Sequence, residues 1–274
     1  MDLKVAFWSN VRGKSCVTSN LACMSVLSAL GRPGRRTIIF ENHKNIINLG
    51  NTYFRPSSET VNEHTNYMAM TGMDKVLQFV RQDEALPEER FYRYTKELLG
   101  RQLCYLPAMS VSSPDILEYQ MSRECKRTLR YLEQYGDVVL VDTSPAPLES
   151  SRKILQEADV VVVNLVQNES MLSHFFRNYS DIQKKAFYII GNYEREQALD
   201  KRAIIQHYGV GNHQIGTVPH HGEYADALSN GRLVSFLSEN YLCGRENPNY
   251  SFMTAVRETE ALFWDRLGEK GNKG

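Results

Sequence analysis

The chain has 274 residues, with 32 lysines and arginines against 32 aspartates and glutamates, so its formal net charge is zero. That balance excludes a wholly basic or wholly acidic surface that would steer toward nucleic acid or anionic lipid, although a local patch survives the averaging. The length suits one large α/β domain or two small ones, with a substantial core either way.

Five cysteines (Cys16, Cys23, Cys104, Cys125 and Cys243) form no C-x-x-C pair and are odd in number. This argues against a disulfide framework or a zinc site and for a reducing, cytoplasmic setting. The start, Met-Asp-Leu-Lys-Val-Ala-Phe-Trp, is too short and polar for a signal peptide, and no apolar run approaches the ~20 residues of a membrane span.

In chain order, Val5 to Trp8 is a short apolar strand that breaks into a polar loop, Ser9 to Arg12, followed by Gly13-Lys14-Ser15. Apolar residues then recur at helical spacing, at Val17, Leu21, Met24, Leu27 and Leu30. Gly31-Arg-Pro-Gly34 is a turn, Thr37 to Glu41 a strand, and Asn42 to Asn51 a polar stretch beyond its end. Residues 52–100 read as an insert, with a helix over Met73 to Gln82 and a second helix start or irregular segment near Leu86 to Tyr94. Leu103 to Pro107 is a buried strand. Pro114 to Tyr135 is an amphipathic helix with Ile116, Leu117, Met121, Leu129 and Leu132 on its apolar side.

Asp137 to Asp142 and Asp159 to Leu165 are continuous β-branched runs of the kind found in strands buried on both faces. Ala186 to Gly191 and Gln214 to Val218 complete the strands, and a helix over about 251–267 ends the chain. Strands alternating with helices predict a single three-layer α/β domain over 1–274, with a twisted, mainly parallel sheet flanked by helices.

Two features carry chemistry. A strand, a loop, Gly13-Lys14-Ser15 and a helix form the context of a phosphate loop: backbone amides cradle phosphate, the lysine neutralises it and the serine hydroxyl reaches magnesium. The pattern G-x-x-x-x-G-K-S/T asks for glycine where the chain has Trp8. The second feature is Asp142, at the carboxyl end of a buried strand and before Thr-Ser-Pro, where open α/β sheets place ligand-binding groups. Such an aspartate orders magnesium in phosphate-loop enzymes, and Asp-Thr-Ser-Pro is also ordinary turn chemistry.

Val139-Leu-Val-Asp142-Thr-Ser-Pro-Ala, Ala158-Asp-Val-Val-Val-Val, Ile190-Gly-Asn192-Tyr, Ile215-Gly-Thr-Val-Pro219 and Leu228-Ser-Asn-Gly-Arg-Leu-Val succeed one another in an order that resembles the MinD/ParA family of deviant phosphate-loop ATPases. The likeness runs over roughly 1–50 and 100–240. It implies ATP or ADP with magnesium, held between two face-to-face protomers of a homodimer. It assigns nucleotide contacts to Asn10, Arg12, Gly13, Lys14, Ser15 and Cys16, magnesium to Ser15 and Asp142, the adenine edge to Asn192 and the base pocket to the backbone around Pro219.

The departures bear on turnover. The family's loop resembles K-G-G-V-G-K-S/T, and this chain places Ser9 at the signature lysine and Asn10 and Val11 at the glycines. Asn10 reaches positive φ at modest cost, and Val11 does not. Where the family resembles D-x-D-x-Q after the second strand, the chain reads Glu41, Asn42, His43, Lys44, Asn45. His43 thus takes the place of the catalytic acid and is able to orient water, while the common fate of a loop histidine is exposure. Weak or absent hydrolysis is expected.

Other features have plainer readings. His213, His220 and His221 lack further ligands at metal spacing and read as polar loop residues. Phe91, Tyr92 and Tyr94 suit stacking on nucleic acid or an amphipathic segment equally. The final helix, with Phe252, Val256, Phe263, Trp264 and Leu267, has a charge-balanced polar face and reads as packed on the sheet rather than lying on a membrane.

Three functional classes follow. One is a spatial positioning factor resembling the TadZ/CpaE branch that places pilus-assembly or secretion machines. Another is a ParA-like DNA partition ATPase of a plasmid or conjugative element, which the charge does not indicate. The third, an iron–sulfur or nitrogenase-reductase relative, finds no support in the cysteine spacing. A pseudo-ATPase scaffold without nucleotide cuts across all three.

Overall fold

The computed structural model describes residues 3–55, 72–108 and 113–271. Its centre is an eight-stranded sheet in the order β3-β4-β2-β5-β1-β6-β7-β8. The strands are β1 Leu3–Trp8, β2 Thr37–Asn42, β3 Lys96–Glu97, β4 Leu103–Tyr105, β5 Val138–Thr143, β6 Val160–Leu165, β7 Ala186–Tyr193 and β8 Ile215–Pro219. All neighbours are parallel except β3 with β4. The exposed two-residue β3 is a short antiparallel cap on one edge, a common way of blunting a strand that would otherwise template association.

The continuous apolar runs of β1, β5 and β6 are explained by helices on both faces. Alternate residues feed two cores. Val138 and Leu140 of β5 join Val5 and Phe7 beneath the first helix, Val17–Gly31, and the last, Tyr250–Gly271. Val139 and Val141 join Ala6 and Trp8 under the helices Pro114–Leu132, Glu149–Glu157 and Glu169–Asn178. Each fully buried Val, Leu or Phe contributes roughly 1.5–3 kcal/mol, so the central strands hold much of the stability.

The predicted elements are present with shifted ends. The helix expected to reach Tyr135 ends at Leu132, and Ile116 is 44% exposed rather than on its apolar side. The buried stripe runs Leu117, Met121, Cys125, Leu129 and Leu132, and Ile116 lies about 100° around the helix from Leu117. The insert read at 52–100 contains helices Met73–Gln82 and Glu88–Tyr92, and its residues 56–71 lie outside the described ones. Phe91 and Tyr92 are buried. Phe91 stacks on Tyr135 with centroids 4.0 Å apart, and the Tyr92 hydroxyl donates to the Tyr135 carbonyl at 2.8 Å, so neither ring is free to stack on a base.

The last helix packs on the edge strand β8, with Phe252, Val256, Phe263, Trp264 and Leu267 buried. Its Thr259 hydroxyl bridges to β8, accepting from Thr217 N–H at 2.8 Å and donating to Thr217 C=O at 2.8 Å, in a place where no further strand does so. Thr259→Val keeps the shape and removes both bonds. We expect a loss of about 1–3 kcal/mol of unfolding free energy, measured by urea denaturation.

Candidate functional site at the carboxyl edge of the sheet

β1 lies between β5 and β6, so the loop that leaves it emerges at the carboxyl edge of the sheet, beside the ends of both neighbours. Open α/β sheets bind ligands in this region. Trp8 does not enter the loop. Its indole lies on the sheet face opposite the first helix, 5.1 Å from the Tyr179 ring and 6.5 Å from the Phe175 ring.

The root of the loop is pinned by neutral polar groups. The Ser9 hydroxyl is buried, donates to the Asn164 carbonyl at 2.8 Å and accepts from Val11 N–H at 3.3 Å. The Asn164 amide donates to the Trp8 and Val162 carbonyls, each at 3.2 Å, and its oxygen accepts from the Asn20 amide at 2.8 Å. The position that resembles the signature lysine is therefore a serine sealed into the protein's own interior.

Further along, the Asn10 amide donates to the Met171 carbonyl at 3.2 Å. Arg12, Gly13 and Lys14 are exposed, and no carboxylate forms an ion pair with Arg12 or Lys14 among the described residues. Gly13 has φ 81°, in the region that favours glycine, and a Cβ there would touch nothing. Ser15 is 3% exposed, and its hydroxyl donates to the Val11 carbonyl at 3.3 Å. Cys16, left-handed at φ 56°, precedes the helix without a side-chain cap, and burial pushes its thiol pKa up.

The loop also leans on β7. A Cβ at Gly191 would come within 2.7 Å of Asn20 Nδ2, 3.0 Å of Cys16 Cβ and 3.2 Å of the Ser15 carbonyl, so only glycine allows this approach.

Beside the loop, β2 and β5 pair in parallel with Glu41 opposite Asp142. His43 follows Glu41 by two residues, the spacing that returns a side chain to the same side of a strand. The three side chains meet: one ligand-type atom from each lies within 4.8 Å of the others, and all three residues are buried. His43 Nε2 is 3.0 Å from Asp142 Oδ2, and the Thr18 hydroxyl donates to the same oxygen at 2.6 Å. Glu41 accepts from the Tyr105 hydroxyl at 2.6 Å and from Leu49 N–H at 3.0 Å. Asn45 N–H approaches His43 Nδ1 at 3.4 Å, which assigns the imidazole proton to Nε2.

Burial raises the Glu41 pKa and Asp142 adds to the rise, against the pull of His43, Tyr105 and Leu49 N–H. Burial lowers that of His43, but the hydrogen bond and charge of Asp142, with Glu41, outweigh it and leave the imidazole above its ordinary value.

At the far side, Asn192 (φ 48°) and Pro219 sit at the carboxyl ends of β7 and β8. The Asn192 side-chain oxygen is 2.9 Å from His220 Nδ1. His221 Nδ1 accepts from Tyr224 N–H at 3.3 Å and caps the helix Gly222–Ser229, so both histidines are polar loop residues.

The expected residues thus gather along one edge, with two differences. No hydrogen bond joins Ser15 to Asp142; Thr18, one turn further on, takes that contact. His43 is buried against Asp142 rather than exposed, because the β2–β5 register carries it inward. The set Arg12, Gly13 and Lys14 suits a phosphate anion. The serine–aspartate magnesium pair does not fit as it stands, since Ser15 is turned onto Val11 and it is Thr18 that meets Asp142. Sequence reasoning passed over Glu41, Thr18 and Asn164. Glu41 was findable, as an acid two residues before His43 at the end of a predicted strand.

The chain has the fold of the ParA/MinD type of phosphate-loop ATPase, an eight-stranded, mostly parallel sheet flanked by helices. Solved structures share it along nearly their whole length. A ParA family ATPase from Chlorobium tepidum TLS matches with TM-score 0.67 and 11% identity, over 95% of this chain and 98% of that one. The septum site-determining protein MinD of Pyrococcus horikoshii OT3, complexed with Mg-ADP, matches with TM-score 0.63 and 12% identity, over 97% and 98%. A putative plasmid partition protein of Borrelia burgdorferi B31, bound to AMPPNP, matches with TM-score 0.61 and 10% identity, over 97% and 100%. No protein-family model and no curated protein matches the chain.

Gly191→Ala inserts a methyl group against Cys16 and the Ser15 carbonyl. We expect a loss of about 1–3 kcal/mol in urea denaturation, with the loop displaced.

Proposed function

We propose that the chain is a nucleotide-binding positioning factor of the TadZ/CpaE kind, a single 1–274 domain that works in the cytoplasm at a pilus or secretion machine and turns ATP over slowly or not at all. One observation carries the binding half of this reading: Arg12, Gly13 and Lys14 stand exposed at the carboxyl edge of the central strand, with no described carboxylate neutralising the two cations. Free backbone donors and uncompensated positive charge at this place are what a polyphosphate rewards. The Mg-ADP and AMPPNP carried by two proteins of the same fold support the same ligand class.

The slow-turnover half rests on what surrounds Asp142. Hydrolysis needs a group free to orient water and a cation over the transferred phosphate. Here Ser9, at the place of the cross-protomer lysine, is buried and bonded to Asn164. His43 replaces the acid and is bonded to Asp142. No step is assigned to magnesium, because Ser15 and Asp142 are not arranged to share it. The residues of this chain bind and orient: Lys14 and Arg12 hold the phosphates, Asn192 faces the base, and nucleotide favours pairing with a second copy. No helix among the described residues is long and apolar enough to cross a membrane.

Calorimetry with ATP and ADP, with and without magnesium, tests this on the wild type and on Lys14→Ala. The wild type should bind, and the variant should bind at least tenfold more weakly, about 1.4 kcal/mol or more. Absence of heat from the wild type would leave the pseudo-ATPase scaffold. Turnover should stay near background with and without DNA, and strong stimulation by DNA would replace positioning with partition.

A further inference from the structure

The grouping of Glu41, His43 and Asp142 is more than turnover machinery left idle. Two carboxylates and one imidazole are buried together, with 4%, 7% and 1% of their surface exposed. No lysine or arginine among the described residues forms an ion pair with either carboxylate. Both Glu41 oxygens accept hydrogen bonds, as those of an ionised carboxylate do. With both carboxylates ionised, one negative charge stays in excess even against a protonated His43. Buried charge of this kind is normally paired or used to hold a metal.

We propose that Glu41, His43 and Asp142 form a binding site for a divalent transition cation of the zinc or manganese type, filled by the protein alone without nucleotide. Two ligands each about 2.1 Å from one ion and 3.0 Å apart, as His43 Nε2 and Asp142 Oδ2 are, subtend an angle of about 90°, that of adjacent ligands of a six-coordinate ion; a tetrahedral ion needs them a few tenths of an ångström further apart. The cation takes the place of the proton on Nε2: that proton leaves to solvent, Nε2 gives its lone pair to the metal, and Nδ1 takes up a proton from solvent, where the long contact with Asn45 N–H gives way. Glu41 supplies the third ligand from the neighbouring strand.

Supporting hydrogen bonds are already in place. Tyr105 and Leu49 N–H hold Glu41, and Thr18 holds Asp142, as outer partners hold the ligands of metal sites. A nitrogen among the donors favours zinc or manganese over magnesium, which prefers oxygen and retains its waters. This ligand set shares only Asp142 with the magnesium pair implied by resemblance, and it needs neither Ser15 nor Lys14.

The test is a cobalt(II) titration of chelator-treated, nucleotide-free protein, followed by visible absorbance and equilibrium dialysis. It is independent of the phosphate loop, so Lys14→Ala should titrate like the wild type whether or not nucleotide binds. One cobalt per chain should bind with a d–d band, be displaced by zinc and resist a hundredfold excess of magnesium. His43→Gln should weaken binding about 100-fold or more, and Tyr105→Phe, which keeps all three ligands, by about 10-fold. Circular dichroism checks that both variants are folded, and Tyr105→Phe carries the test if His43→Gln is not. His207→Ala and His213→Ala, at exposed histidines, should change nothing. No band, equal binding by wild type and Tyr105→Phe, or loss of the band on removing His207 or His213 would overturn the proposal.

Discussion

Asp142 is paired in register with Phe7 of β1 on one side and Glu41 of β2 on the other. Everything chemical in the molecule depends on that parallel register. It sets the end of β1 level with the ends of its neighbours, so the Gly13-Lys14 loop opens beside Asp142. It also brings Glu41 alongside Asp142 and, two residues on, His43 above it. A slip of one residue would send Glu41 and Asp142 to opposite faces, one of them into the apolar layer of Val139 and Val141. The β-branched residues of β5, buried on both sides, make such a slip costly, and they thereby fix the chemistry at the strand ends.

The loop turns most of its polar groups back onto the protein. With Asn10 and Val11 where the loop it resembles has glycines, the loop bonds within the protein: Asn10 to Met171, Ser9 to Asn164, Ser15 to Val11. Each bond leaves one fewer polar group for a ligand. What stays open is the exposed pair Arg12 and Lys14 around Gly13. The proposed combination, a phosphate grip with little turnover, is the one these substitutions leave. In that proposal the surface cations Arg12 and Lys14 hold anions, while Ser9 and His43 are tied into buried bonds.

Much of the architecture was legible because it rests on periodicity. The runs at Val138 to Val141 and Val160 to Val163 are apolar on both faces, which only a strand between two helical layers tolerates. The last helix was assigned to the sheet from its balanced polar face, and its Thr259 meets Thr217 of β8, while its Trp264 meets Ser28 of the first helix. Ile116 was misplaced because a window of helical spacing locates a stripe only to within a residue. The edge that holds the candidate site was legible through Lys14 and Asp142, but the contacts of Ser15 and His43 were not. A hydroxyl or an imidazole carries no mark in the chain of which neighbour it will meet.

By itself, then, the order of residues determined the layers, seven of the eight strands and the edge at which polar groups collect, since burial patterns and turn chemistry act over short stretches of chain. Which groups touch was decided only by folding. Thr18 rather than Ser15 reached Asp142, and Glu41, a hundred residues away along the chain, came to share its pocket. Those contacts depend on strand register and helix approach, with Gly191 admitting the loop to within van der Waals reach. Angstrom-scale distances between remote segments are properties of packing, and no local pattern encodes them.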